Sequence, residues 1–230
     1  MKKIVIFTGA GISAESGIET FRDIENGLWY NYKVDEVATI QGWKKDKEKV
    51  LDFHNMLRAK SHKIKPNLAH DLLADLQEDF DVTIITQNVD ELHEKAGSRN
   101  ILHLHGELMK CQSTLDPNLV YDCRGSISIG DRCEKGSQLR PYTVLFGEYP
   151  NNVDEAYHAL SEADYLLLIG TSFQIGYTID MIRSAGTSVP VYYVDPEPVT
   201  YFDDMNITKI RKKATVGVKE LHEKLYALEF

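Results

Sequence analysis

The sequence predicts an α/β fold, a doubly wound parallel sheet of Rossmann-like type with a smaller inserted module, on three observations. Short apolar runs rich in β-branched residues recur along the chain, as expected of strands buried on both faces of a parallel sheet. The later runs each follow a segment whose apolar residues recur at helical spacing, the strand and helix alternation of such a sheet. The first run ends in Gly9-Ala10-Gly11, a turn that leads a strand directly into a helix.

Ile4 to Phe7 is the first predicted strand, followed by Val82-Thr83-Ile84-Ile85-Thr86, Tyr165 to Ile169, and Val189 to Val194. The helical patterns before them are Leu68/Leu72/Leu73/Leu76, then Ala156/Leu160/Ala163, then Ile179/Ile182. Asn67 after Pro66 and Asp154 ahead of Ala156 read as helix caps, and Val218 to Leu228 reads as a closing amphipathic helix. Two stretches break the rhythm: residues 24–65, charged and helical, with Trp29, Trp43 and Phe53, and residues 108–141, which carry glycine, serine and all three cysteines. These two form the predicted small module, and residues 1–23, 66–107 and 142–230 form the Rossmann-like domain.

A chain of 230 residues, 43% hydrophobic and 27% charged, has the material for a full core, which excludes a disordered or repeat protein. Thirty-five acidic against 26 basic residues give a net charge of -9, which repels phosphate backbones, so no nucleic acid partner is expected. The four apolar residues after Met1-Lys2-Lys3 are too few for a signal-peptide core. The longest apolar stretch, Tyr165 to Ile169, is far below the roughly 20 residues of a membrane span. A cytoplasmic protein with no membrane partner is expected. Cys111, Cys123 and Cys133 are an odd set for a disulfide framework and read as reduced thiols or the remnant of a metal site.

The turn Gly9 to Ser13 would set bare backbone amides and a helix start near a pyrophosphate, whose charge both favour, although a tight turn alone needs the same glycines. The third glycine of the dinucleotide fingerprint is replaced by Ala14, with Gly17 next, so hydride transfer is not expected. Gln87, Asn88 and Asp90 follow a strand at the edge where doubly wound sheets bind ligands, the alternative being an Asn/Asp turn bonded to its own backbone. His103 and His105 alternate, as two residues on one face of an extended strand would. The near-neutral ordinary pKa of histidine suits a general base, packing or hydrogen bonding is the plainer role for such a ring, and a metal-binding His-x-His pair is a further reading.

The string from Gly9 through Ser13, Glu15, Thr20 and Phe21 to Arg22, with Thr86-Gln87-Asn88-Val89-Asp90 and Leu104-His105-Gly106-Glu107, closely resembles the sirtuin family of NAD-dependent protein deacylases. Phe146-Gly147-Glu148, Gly170-Thr171-Ser172 and the turn at residues 195–197 extend the resemblance over most of the chain. It implies that NAD is consumed as a co-substrate and that acyl-lysine proteins or peptides are the partners. Gly9, Ala10, Gly11, Ile12 and Ser13 would take the NAD phosphates, Glu15 and Thr20 would also contact the cofactor, and Phe21 and Arg22 would lie on a loop that covers it. Asn88, Val89 and Asp90 would flank the nicotinamide and Gln87 its ribose. Gly170, Thr171, Ser172, Asp195, Pro196, Glu197 and Ala214 would line the adenosine side.

The resemblance assigns catalysis to His105, Asn88 and Asp90, with His105 activating a ribose hydroxyl after nicotinamide has left. Phe146, Gly147 and Glu148 would offer an extended edge to a substrate peptide, with Phe173 on the opposite edge. Two other readings stay open: a mono-ADP-ribosyltransferase or NAD glycohydrolase, and a non-catalytic NAD or ADP-ribose sensor.

The chain departs from the family twice. Sirtuins usually hold a structural zinc with two Cys-x-x-Cys pairs, whereas Cys111-Gln112-Ser113-Thr114 and Cys133-Glu134-Lys135-Gly136 each keep one cysteine. Cys123, with Asp122 or Asp131, would have to complete a zinc set, and the favoured reading is a module held by packing without metal. The class that removes succinyl and malonyl groups carries Tyr-x-x-Arg for the acyl carboxylate, and here His54 and Leu57 stand at those positions. Arg58 lies one residue on, about 100° around a helix, so His54 remains the candidate acyl contact.

Overall fold

The computed structural model describes residues 1–19 and 32–229. Its central sheet holds six parallel strands in the order β3-β2-β1-β7-β8-β9, where β1 is Lys3–Thr8, β2 Asp81–Thr86, β3 Ile101–His103, β7 Tyr165–Ile169, β8 Val191–Val194 and β9 Ile207–Ile210. The alternation of the pleat explains the continuous apolar runs. Ile4, Ile6, Leu167, Ile169, Tyr192 and Val194 point into one core layer, whereas Val5, Phe7, Leu166, Leu168, Val191 and Tyr193 point into the other. The first layer is closed by α4 (Leu68–Asp75) and α8 (Ala214–Glu229), and the second by α6 (Val153–Ser161) and α7 (Tyr177–Arg183). The doubly wound parallel sheet read from the sequence is the one found.

Asn67 caps α4 as expected, its side chain accepting from the Ala69 amide at 2.9 Å. Asp154 does not cap α6 but lies in its first turn, and the cap position belongs to Asn152 with φ 54°. The Asn152 amide donates instead to the His103 carbonyl at 3.0 Å, tying the start of α6 to the end of β3.

A second sheet, antiparallel and ordered β5-β4-β6, is built from β4 (Gly106–Ser113), β5 (Val120–Asp122) and β6 (Leu139–Thr143). The charged segment before residue 65 forms α1 (Val34–Val37), α2 (Ile40–Lys45) and α3 (Lys47–Ser61). Trp43, Val50 and Leu51 from these helices share one apolar cluster with Cys111, Ile127 and Leu145. Arg58 is buried in α3, and its guanidinium donates to the Leu108 carbonyl (2.8 Å), the Asn55 amide oxygen (2.9 Å) and the Gly125 carbonyl (3.2 Å). Among the described residues no helix is long and apolar enough to cross a membrane.

The strand order reverses at β1, which pairs with β2 on one side and β7 on the other. Doubly wound sheets open a crevice for ligands at such a point, beyond the carboxyl ends of the strands.

Candidate active site

The loops after β1 and β7 meet in that crevice at backbone contact. Gly9 N–H donates to the Ile169 carbonyl at 3.1 Å and Gly11 N–H to the Gly170 carbonyl at 2.8 Å. A Cβ on Gly11 would sit 2.6 Å from Gly170 Cα, and one on Gly170, at φ +61°, would sit 2.3 Å from the Ile12 nitrogen. Any side chain at these positions would push the two loops apart, so bare backbone lines this part of the crevice. The tight-turn reading of the glycines is what these contacts account for, since the two loops could not approach this closely with side chains in between.

Around this floor the polar residues converge. The Asn88 amide group donates to the Gly9 carbonyl (3.1 Å) and to Ser13 Oγ (3.3 Å). The Ser13 hydroxyl donates to Asp90 Oδ2 at 3.1 Å, and the Leu92 amide donates to Asp90 Oδ1 at 3.0 Å. Burial pushes the Asp90 carboxyl above its ordinary pKa, and these two donors pull back toward the charged form. Gln87 Nε2 donates to Thr171 Oγ1 at 2.9 Å, joining the loops after β2 and β7. Glu15 reaches across to α8, accepting from the Thr215 amide and hydroxyl at 2.9 Å each, which brings Ala214 to the same side of the crevice. Asp195 follows β8, buried, and accepts from the Glu197 amide at 2.8 Å across Pro196.

His105 lies just beyond β3. Its Nδ1 is 2.9 Å from the Gln87 carbonyl, which only accepts, so Nδ1 carries the proton and Nε2 is left as the basic nitrogen. The hydroxyl of Tyr177, the first residue of α7, donates to that nitrogen at 2.8 Å. Burial lowers the His105 pKa, the Gln87 bond opposing it, and burial raises the Tyr177 phenol to about 12. The site therefore holds a neutral imidazole and a neutral phenol. Gly106, at φ +81°, has its Cα so close to β6 that a Cβ would fall 2.0 Å from the Tyr142 carbonyl, which explains why the residue after His105 is glycine. Tyr177 was not visible as a site residue in the sequence, where its one signal is its place seven residues after Gly170.

His103 ends β3, so the two histidines are not neighbours on one strand face. Its ring meets Asn88 and Glu94 instead.

The remaining candidates are placed as follows. Thr20, Phe21 and Arg22 lie outside the described residues. Phe146 is half exposed, yet its N–H donates to the Ala38 carbonyl (2.8 Å) and its carbonyl accepts from Ile40 N–H (3.2 Å), so its own backbone edge is used by the segment that leads into α2. Glu148 is clamped by Arg140 at 2.5 and 2.8 Å. Phe173, at φ +53°, is buried against Phe7 and Phe202 rather than turned to solvent. His54 is buried, its Nδ1 2.8 Å from the Val50 carbonyl and its Nε2 3.0 Å from Thr143 Oγ1.

The three thiols fall into two separate settings. Cys111 and Cys123 lie together on β4 and just after β5, and burial, with the neighbouring Cys123, raises Cys111 to about 12. Cys133 lies 3.3 Å from Ser113 Oγ and 3.2 Å from Ser137 Oγ, and these hydroxyls bring it down to about 7. Among the described residues, no cysteine belongs to a group of three ligating atoms close enough to share a metal ion. The donor set does not fit a tetrahedral zinc.

Residues 9–176, which carry the glycine loop, the Asn88 loop and His105, match the Sir2 family. The chain belongs to the Sir2 family. This Sir2 chain is 45% identical over 225 residues to an NAD-dependent protein deacylase of Helicobacter pylori, covering 98% of each. A similar protein of that name in Bacteroides thetaiotaomicron is 42% identical over 231 residues, again covering 98% of each. Among solved structures, a Sir2 homologue in complex with NAD superposes with a TM-score of 0.85 at 34% identity, over 99% of this chain and 90% of that one.

Proposed function

We propose that the protein is an NAD-dependent deacylase of lysine side chains in proteins, releasing nicotinamide and O-acyl-ADP-ribose. One observation carries the reading: His105 presents a neutral Nε2 at the rim of the crevice whose floor is the bare Gly9–Gly11–Gly170 backbone. The family's co-substrate fits these residues, because the glycine turn admits a pyrophosphate and the Ser13, Asn88 and Asp90 side chains supply both donors and acceptors beside it.

Nicotinamide departure lets the acyl oxygen bond to the ribose carbon. The Asn88–Asp90 loop holds the carboxamide and keeps water from the cationic carbon. His105 Nε2 then takes the proton of the ribose hydroxyl that attacks the acyl carbon, and the Gln87 carbonyl steadies the imidazolium that results. Water releases free lysine. On the peptide side this reading keeps the exposed Phe146 side chain, and the α1–α3 and β4–β6 elements act as the small module against the Rossmann-like domain. Three unpaired thiols are in keeping with a cytoplasmic setting.

The test is incubation of NAD with acetyl-, succinyl- and longer-acyl lysine peptides, followed by mass spectrometry of peptide and nucleotide together. Equal amounts of free lysine peptide and O-acyl-ADP-ribose are expected. Nicotinamide release with the acyl-lysine intact would transfer the protein to ADP-ribosylation or NAD hydrolysis, and NAD binding with no nicotinamide release would make it a sensor.

A further inference from the structure

His103 is buried, only 5% exposed, and the reaction above gives it no role. Its Nδ1 lies 2.9 Å from the main-chain carbonyl of Asn88, and its Nε2 lies 2.7 Å from Glu94 Oε1 in α5 (Leu92–Lys95). A carbonyl and a carboxylate only accept. A neutral imidazole has one N–H and satisfies one of them, whereas an imidazolium satisfies both. The charged and titratable groups facing the ring are Glu94 and His93 from α5, Asp90 from the preceding loop and Glu107 from β4, three carboxylates and a second imidazole. Glu107 is itself paired with Lys110 at 2.8 Å. Burial pushes the His93 pKa well down, so of the two imidazoles His103 is the one whose nitrogens both meet acceptors and whose carboxylate neighbours favour a charge.

We infer that His103 is a buried imidazolium that acts as a positioning residue, pinning the Asn88–Asp90 loop to α5 and β3 and releasing it when the ring loses its proton. The inference rests on the reading of that loop as the co-substrate loop. Asn88 is the point of leverage. Its carbonyl is held by His103 while its side chain reaches Gly9 and Ser13, so rotation of its peptide would move the amide that faces the crevice. Burial works against the charge on His103, but the hydrogen bond and charge of Glu94 outweigh it and raise the pKa above 6.5. The pinned state therefore holds on the acid side of this raised pKa and fails on its alkaline side.

The experiment has two arms on the full chain. Ring nitrogen NMR of histidine-labelled protein without NAD reads the charge directly. His103 is expected to carry protons on both nitrogens at pH 7, with a midpoint that falls by about one pH unit or more in Glu94→Gln, the size of an opposite-charge effect at contact distance. The second arm is kcat/KM for NAD against pH. The wild type should lose activity on the alkaline side at the midpoint seen by NMR. His103→Gln should raise KM for NAD about tenfold at pH 7 with kcat changed less, and should lack that alkaline limb. One unprotonated nitrogen at pH 7, or an alkaline limb unchanged in both variants, overturns the inference. Should His103→Gln not fold, the Glu94→Gln midpoint and limb decide it alone. Absence of deacylation in the wild type would sink the functional reading and leave the NMR arm standing.

Discussion

The hydroxyl of Tyr177 donates to His105 Nε2 at 2.8 Å and so occupies the lone pair that the proposed reaction assigns to a ribose hydroxyl. In that reaction the two hydroxyls compete for one lone pair, and the phenol withdraws before the base works. Tyr177→Phe removes the competitor and also removes a partly buried hydrogen bond, a net loss of about 1 kcal/mol in stability. The expected result is a slightly lower Tm together with a single-turnover deacylation rate raised up to about fivefold, the same energy expressed in the barrier. A rate that falls instead would mean that the phenol orients the ring during the reaction.

If His105 is the general base proposed above, it acts as the neutral imidazole, and burial lowers its pKa. A base with a lowered pKa stays unprotonated further into acid, so the acid limb of kcat/KM should have its midpoint below the ordinary 6.5 and activity should be flat from there to neutrality. His105→Ala should lower deacylation by roughly 10²- to 10⁴-fold, the usual worth of a general base. Nicotinamide release in the first turnover should persist in the variant, because it precedes the proton transfer. Pre-steady-state measurement of both products separates the two steps.

Much of this site is local in sequence, and that is why it could be read. The parallel strands announce themselves as apolar runs because both faces of β1 and β7 are covered, and the candidate site residues follow directly after the strand ends. What stayed hidden is what arrives from a distant element. Tyr177 reaches His105 across 72 positions and Glu15 reaches Thr215 across 200, and neither pairing leaves a periodicity or a motif. Asp154 was expected to cap α6 on its residue type, but the chain enters the helix through a left-handed Asn152 whose amide is held by β3. Local preference was overridden by a tertiary bond. The buried state of His54 and Phe173 is likewise set by residues far along the chain, Thr143 for one and Phe7 and Phe202 for the other.

The small module has other means of cohesion than a zinc ion. Asn55 bonds both the amide and the carbonyl of Ile127 at 2.9 Å, Arg58 binds β4 and the loop at Gly125, and Trp43 and Leu51 pack with Cys111. Prolonged dialysis against a strong zinc chelator should leave Tm and deacylation unchanged. Arg58→Met, which removes one buried and two part-buried hydrogen bonds, should lower stability by about 2 to 4 kcal/mol. Thermal melts with and without chelator check both. A chelator-dependent drop would require a metal bound by residues other than a converging cysteine set.

Arg58 cannot serve as an acid clamp, because its guanidinium is occupied by Leu108, Asn55 and Gly125. His54 and Leu57 lie one helical turn apart on the same side of α3, at the positions where a Tyr-x-x-Arg pair would hold a carboxylate-bearing acyl group. Leu57 is half-buried, leaving room for a longer side chain to reach out. His54→Tyr with Leu57→Arg gives up the His54 bond to Thr143, about 1 kcal/mol, and adds a charge-assisted contact worth roughly 1.5 to 3 kcal/mol to a succinyl carboxylate. The ratio of kcat/KM for succinyl- over acetyl-lysine peptide should therefore rise about 10- to 100-fold, while Arg58→Lys leaves the ratio unchanged. The ratio, and not the absolute rate, is the quantity to measure, since loss of the Thr143 bond slows both substrates alike. An unchanged ratio in the double variant would mean that the acyl chain runs past a different face of α3.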